Sequence, residues 1–252
     1  TQMKIVDCMK LAKNAGFEGI ELALNETGPM SLESDSGEIA GYREMAEKNG
    51  IELSSLATGL YWSYSLTSGS SETRQKAMTI ARKQIDAAAL LGVDTILVVP
   101  GAVGVDFIPG GEIVDYDVAY QRSLEAIKEL AGYAEEKKIH IGIENVWNKF
   151  LLSPLEMRDF IDNVGSAYVG AYLDVGNIIT TGYPEHWVKI LGKRIRKVHF
   201  KDYRRDVGTI AGFVDLLAGD VNYPVVMAAL EKAGYDSYVT AEMSPTAHYP
   251  EQ

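Results

Sequence analysis

Apolar positions along this chain recur with helical spacing, then with strand spacing, and the alternation repeats from one end to the other. Helical periodicity marks 3–14, 38–49, 72–91, 115–137, 153–163, 184–191 and 223–233, and glycines such as Gly16, Gly50, Gly92 and Gly234 stop several of these segments. Each is followed by a short run rich in Val, Ile, Leu, Tyr and Thr: 19–24, 52–58, 94–100, 139–146, 168–175, 196–202 and 237–243. Such runs suit parallel strands buried on both faces. Successive strand starts lie 28 to 45 residues apart, room for one βα unit each, which predicts a barrel or a doubly wound sheet. The expected fold is α/β, a (β/α)8 TIM barrel whose first strand precedes Thr1 and whose last helix follows Gln252. A seven-stranded or open variant is the alternative. No linker or low-complexity tract divides residues 1–252, so one domain is expected.

The chemistry gathers at strand ends. Glu144 stands in His-Ile-Gly-Ile-Glu-Asn, Asp174 in Ala-Tyr-Leu-Asp-Val-Gly-Asn, His199 in Lys-Val-His-Phe-Lys-Asp and Glu242 in Val-Thr-Ala-Glu-Met. In a barrel the C-terminal ends of the strands converge on one face, the face that carries the chemistry of barrel enzymes. Three carboxylates and one imidazole then meet, a set that repels itself without a cation. Its oxygen-rich donors suit one divalent ion, manganese first, with magnesium, cobalt or zinc as alternatives. Local pairing of each residue is the competing reading.

Strand alternation refines this picture. Glu144 shares a face with Gly142 and His140, and Glu242 with Thr240. Lys201 shares a face with His199, which makes it a substrate contact or a solvent-facing lysine, whereas Asp202 points elsewhere and is expected to hold the following loop. Tyr61 and Trp62 follow the second run, and Trp147 and Phe150 the fourth; their rings either wall a pocket at the barrel mouth or pack loops onto helices. Glu21 can reach a substrate hydroxyl or pair with a lysine. One of Arg204 and Arg205 can meet a phosphate or sit in a solvated loop. Gly101-Ala-Val-Gly104 and Pro109-Gly110-Gly111 fit turn chemistry better than an anion cradle.

Composition narrows the partners. Lys and Arg number 24 against 35 Asp and Glu, a formal net charge of −11, which opposes a phosphate backbone and favours a small-molecule substrate over nucleic acid. A single cysteine, Cys8, rules out an intrachain disulfide and points to a reducing compartment, the cytoplasm. No apolar run approaches the ~18 residues of a membrane span, and no basic-then-apolar leader opens the chain. A homo-oligomer is left open.

From Gly16-Phe-Glu-Gly-Ile-Glu-Leu to Gly234-Tyr-Asp-Ser-Tyr-Val-Thr-Ala-Glu, with the four strand ends in order between them, the chain resembles the xylose-isomerase-like superfamily of sugar phosphate isomerases and epimerases. The resemblance implies that Glu144, Asp174, His199 and Glu242 are metal ligands and that Glu144 and Glu242 also serve as acid and base. Tagatose and allulose 3-epimerases carry a histidine three residues after the metal aspartate, where this chain has Asn177. Asp174-Val-Gly-Asn177 with His199-Phe-Lys-Asp202 is more similar to pentulose-5-phosphate 3-epimerases, acting on L-ribulose or L-xylulose 5-phosphate. Xylose isomerases proper use an early histidine beside an aspartate, but here none precedes His140, and endonuclease IV uses many histidines and three zinc ions. Asn177, Lys201, Glu21, Tyr61, Trp62 and Trp147 are the expected substrate contacts. The expected activity is a metal-dependent ketose or ketose-phosphate 3-epimerase or isomerase. A dehydratase of inosose type and a non-catalytic sugar-binding barrel are the alternatives.

Overall fold

The computed structural model describes residues 3–243. Among these residues seven helices, α1 (Ile5–Asn14), α2 (Ser36–Asn49), α3 (Ser71–Leu91), α4 (Tyr116–Lys137), α5 (Pro154–Val164), α6 (Pro184–Leu191) and α7 (Tyr223–Ala233), alternate with the strands of a parallel sheet. Local chemistry sets their ends. Asp35, Ser70, Ser153 and Asn222 each accept a backbone N–H from the first turn of the helix they open, and Gly50, Gly92, Gly165 and Gly234 close helices in the left-handed region.

The strands are β1 (Gly19–Ala23), β2 (Glu52–Ala57), β3 (Thr95–Val98), β4 (His140–Glu144), β5 (Val169–Asp174), β6 (Ile195–Phe200) and, after two short strands, β9 (Val239–Ala241). They pair in the order β1-β2-β3-β4-β5-β6-β9, every pairing parallel, and form a nearly closed barrel inside the helices. Among the described residues the barrel has seven staves rather than the expected eight. The strand expected before Thr1 and the helix expected after Gln252 lie outside the described residues. Helix and strand centres otherwise fall where periodicity puts them. What periodicity misses is the antiparallel pair β7 (Asp202–Tyr203) and β8 (Phe213–Val214), which folds the loop after β6 over the barrel mouth. No helix among the described residues is long and apolar enough to cross a membrane.

Register and parity place the site. Asp174 is level with His199 across β5 and β6, His199 with Thr240 across β6 and β9, and Glu144 with Tyr172 across β4 and β5. Inside the barrel Gly142 makes room for Tyr172 rather than for the mouth: a Cβ there would lie 3.0 Å from the Tyr172 ring and 3.2 Å from the Ile96 carbonyl. Tyr61 corrects an expectation. Its ring is buried in the core, 3% exposed, and its hydroxyl donates to Gln84 Oε1 at 3.0 Å, so it does not wall the cavity at the barrel mouth. Gln84 spends its own amide hydrogens on the carbonyls of Leu56 and Leu97 and leaves Oε1 as the acceptor that draws the phenol inward. Phe150 is likewise core, packed edge-on against Phe160 and Tyr120.

Candidate metal and active site

Glu144 ends β4, Asp174 ends β5, His199 lies next to the end of β6, and Glu242 follows β9 directly, held there by its own N–H donating to the Phe200 carbonyl at 2.9 Å. Each offers one ligand atom within 4.8 Å of the others. The four residues that strand-end logic singles out therefore meet at one point. Only Glu242 retains appreciable exposure; Asp174 is fully buried, and Glu144 and His199 nearly so.

The cluster is short of positive charge and of hydrogen-bond partners. His199 Nδ1 lies 3.1 Å from Glu242 Oε2 and 3.4 Å from Glu144 Oε1. The Lys201 ammonium sits 2.9 Å from Glu242 Oε2 and 3.5 Å from Asp174 Oδ2. Among the described residues, five buried side-chain atoms have no hydrogen-bond partner, and three of them are Asp174 Oδ2, His199 Nδ1 and Glu242 Oε2. Unpaired buried polar atoms are costly, and three lone-pair donors aimed at one place fit a cation, which satisfies all of them at once. The residues present thus fit a divalent ion of the oxygen-preferring class with one imidazole.

The pKa directions follow from burial and from the closeness of these charged groups to one another. Burial pushes Glu144 up to about 7, against the pull of His199. Burial also raises Asp174, with Lys201 opposing. Burial works against Glu242 as well, but the close approach of His199 and the charge of Lys201 bring it down to about 2. Burial disfavours a charged His199, yet the carboxylates of Glu21, Glu144 and Glu242 raise it well above the ordinary range. A bound ion reverses this local logic by favouring the ionised carboxylates and the neutral ring.

Glu21 pairs with His199 rather than with a lysine, and it lines the cavity above the cluster. Its Oε1 accepts from His199 Nε2 at 2.9 Å, and its Oε2 accepts from Ser55 at 2.6 Å and from the Tyr172 hydroxyl. Burial alone would raise its pKa; the His199 charge lowers it below the usual glutamate value. With Nε2–H committed to Glu21, Nδ1 is the ring nitrogen free for the cluster. Ser55 and Tyr172 escape sequence reasoning, although inward strand parity marks both positions.

Asn145 and Asn177 fasten the two central strand ends together. Asn145 exchanges hydrogen bonds with the Asp174 backbone, at 3.0 Å to its N–H and 2.8 Å to its carbonyl, and Asn177 Nδ2 donates to the Asn145 carbonyl at 3.0 Å. The Asn177 N–H caps Asp174 Oδ1 at 2.9 Å, leaving Oδ2 for the cluster. Gly176, between them, is required by close approach: a Cβ would lie 2.6 Å from the Lys201 carbonyl. Asp202 holds the following loop as expected, accepting from the N–H groups of Tyr203, Gly219 and Val221.

Above the cluster a cavity of about 590 Å³ is lined by Glu144, His199, Glu242, Lys201, Asn177, Trp62 and Trp147, among others. Trp147 is locked by its indole N–H to the Asn177 carbonyl at 3.1 Å, by an edge contact with Tyr203 and by a tilted contact with Phe213. Lys201 also lies over the Phe213 ring. Arg204 and Arg205 instead donate to loop carbonyls of Ala218 and Ile179. The amides of Ala102, Val103 and Gly104 are taken up by Thr67 and Asn148, so that glycine-rich loop is turn chemistry, not an anion cradle.

A family model described as xylose isomerase-like TIM barrel matches residues 9–252. The chain is 27% identical over 205 residues to the 2-epi-5-epi-valiolone 7-phosphate 2-epimerase of Actinoplanes sp., covering 79% of this chain and 68% of that one. It is 23% identical over 255 residues to the L-ribulose-5-phosphate 3-epimerase of Salmonella paratyphi C, covering 96% and 83%. Its fold matches the crystal structure of D-psicose 3-epimerase with D-tagatose from Clostridium cellulolyticum H10 with a TM-score of 0.81 at 18% identity, covering 97% of this chain and 81% of that one.

Proposed function

Because the chain belongs to the xylose isomerase-like TIM barrel family, we propose that it is a divalent-metal-dependent sugar isomerase or epimerase, acting on a ketose or ketose phosphate by proton transfer at carbon 3. The observation that carries the reading is the convergence of Asp174, His199 and Glu242 with Glu144, their ligand atoms within 4.8 Å of one another, beside a sugar-sized cavity. Related proteins named as phosphosugar and ketose epimerases support the reaction class.

A divalent ion held by Glu144, Asp174, His199 and Glu242 would supply Lewis-acid polarisation of the ketose carbonyl and offset the charge of an enediolate. Glu144 and Glu242 face the cavity and are the groups placed to take a proton from carbon 3 and return one, their order depending on the substrate's configuration. Lys201, between Asp174 and Glu242, holds those carboxylates apart from each other's charge and presents its ammonium to a sugar oxygen. Asn177, Trp62 and Trp147 orient the sugar, the two indoles covering an apolar face and keeping water out. Glu21 acts through His199: it fixes the ring and its tautomer.

The reading is tested by incubating the manganese-supplied protein with pentuloses and hexuloses, free and phosphorylated, in heavy water, and identifying products by NMR and mass. The expected product is the carbon-3 epimer carrying one solvent deuterium. A product lighter by the mass of water would assign the dehydratase reaction instead, and no conversion across the panel would remove the epimerase reading. Glu21→Gln leaves the four ligands in place but weakens the support of His199, so calorimetry should show metal affinity roughly 10–100-fold lower than in the parent. Unchanged affinity would make Glu21 a packing residue only.

A further inference from the structure

Beside the site cavity lies a second cavity of about 450 Å³, and the two share Trp147, Asn177, Val146, Phe107 and Ile210 as lining residues. We infer that this annex receives the end of the substrate remote from the reacting carbon, and that this end is an uncharged, largely apolar group of about the size of one ring. The inference rests on the epimerase reading of the neighbouring cluster and names the substrate class that reading leaves open.

The walls carry the chemical argument. The lining combines the apolar side chains of Trp147, Phe107, Trp187, Ile178 and Leu151 with neutral amides and hydroxyls, among them Asn177 and Thr180. Among the described residues, its one lysine, Lys149, is committed at 2.6 Å to Asp106, the one carboxylate of the lining, so the charges cancel at the rim. A phosphate ester seated there would lose water without gaining an unpaired cation, whereas an apolar ring would exchange water for indole and aliphatic contacts. In the site cavity itself Lys201 is the one lysine or arginine of the lining, and it is already engaged by Asp174 and Glu242.

The annex is also a built feature. One lining loop turns at Lys149 (φ 56°) and Leu151 (φ 52°), two non-glycine residues in the left-handed region. Such positions persist only where the surroundings fix them, and they cluster at ligand-holding loops. Here Asn148 donates to the Gly101 carbonyl at 2.7 Å and accepts from Phe150 N–H at 3.1 Å, its own carbonyl takes the N–H of Val103, and Leu151 and Leu152 N–H groups are held by Tyr116 and Glu156.

The test is calorimetric titration of the protein in excess manganese with three matched probes: a hexulose, the same hexulose with a benzyl ether on its terminal hydroxyl, and the same hexulose with a phosphate there. The benzyl ether should bind about tenfold or more tightly than the parent sugar, the usual return for burying one ring, and more tightly than the phosphate. Thr180→Trp, at an exposed rim position of the annex, fills it and should erase the benzyl advantage. Equal binding of benzyl ether and parent, tighter binding of the phosphate, no binding of the benzyl probe, or an advantage that survives Thr180→Trp overturns the inference. Binding is read separately from turnover. A benzyl preference without carbon-3 exchange would count against the reaction but not the annex, and exchange without the preference would do the reverse.

Discussion

Glu144→Gln and Glu242→Gln are each expected to lower turnover by roughly 10²–10⁴-fold, the usual cost of losing a positioned acid or base. Both side chains end on the one cluster, yet they sit differently: Glu144 is buried and pushed up to about 7, while Glu242 is the more exposed and is brought down to about 2 against its burial by His199 and Lys201. Glutamine keeps the size and one oxygen donor but cannot carry the proton. Because either change also removes a charged ligand, initial rates need to be read beside metal content in the same samples. A metal-replete Glu242→Gln protein that epimerises normally would take Glu242 out of proton transfer and leave it a ligand.

Stripping the metal should abolish activity and lower thermal stability together. An ion present at a hundredfold excess over its Kd stabilises the folded chain by about 2.7 kcal/mol. At roughly 2–4 °C per kcal/mol for a chain of this size, the melting temperature should fall by roughly 5–10 °C in EDTA and recover on adding manganese. The physical source is the donor set that lacks partners at Asp174, His199 and Glu242. Uptake must displace the proton that the surrounding carboxylates hold on His199, so binding should release protons and apparent affinity should weaken as pH falls. A melting temperature indifferent to EDTA and manganese would mean that the cluster is satisfied internally.

Much of this was legible in the amino-acid order because the barrel converts chain distance into proximity by rule. Glu144, Asp174, His199 and Glu242 each sit at the end of a run whose composition marks a buried strand, and parallel strands bring such ends to one rim. Parity also separated Lys201, which faces the cluster, from Asp202, which holds the loop. Where reading failed, the deciding contact was distant or the element too short. Glu21 meets His199 across 178 positions, a partnership no local pattern records. Tyr61 turns inward because Gln84 offers an acceptor from α3, whereas its neighbour Trp62 turns to the cavity; the pair is indistinguishable by composition. The strands β7 and β8 are two residues each, too brief to show a period.

The measurement closest to the centre of this picture is anomalous diffraction from crystals grown or soaked with manganese, collected near the metal's absorption edge. One peak is expected, roughly 2.0–2.4 Å from carboxylate oxygens of Glu144, Asp174 and Glu242 and from Nδ1 of His199, with Glu21 still bonded to Nε2. The four side chains already point there, with His199 Nδ1 and Glu242 Oε2 3.1 Å apart. A peak elsewhere, or manganese-soaked crystals in which these side chains pair among themselves with no ion between them, would contradict the metal centre and with it the proposed chemistry.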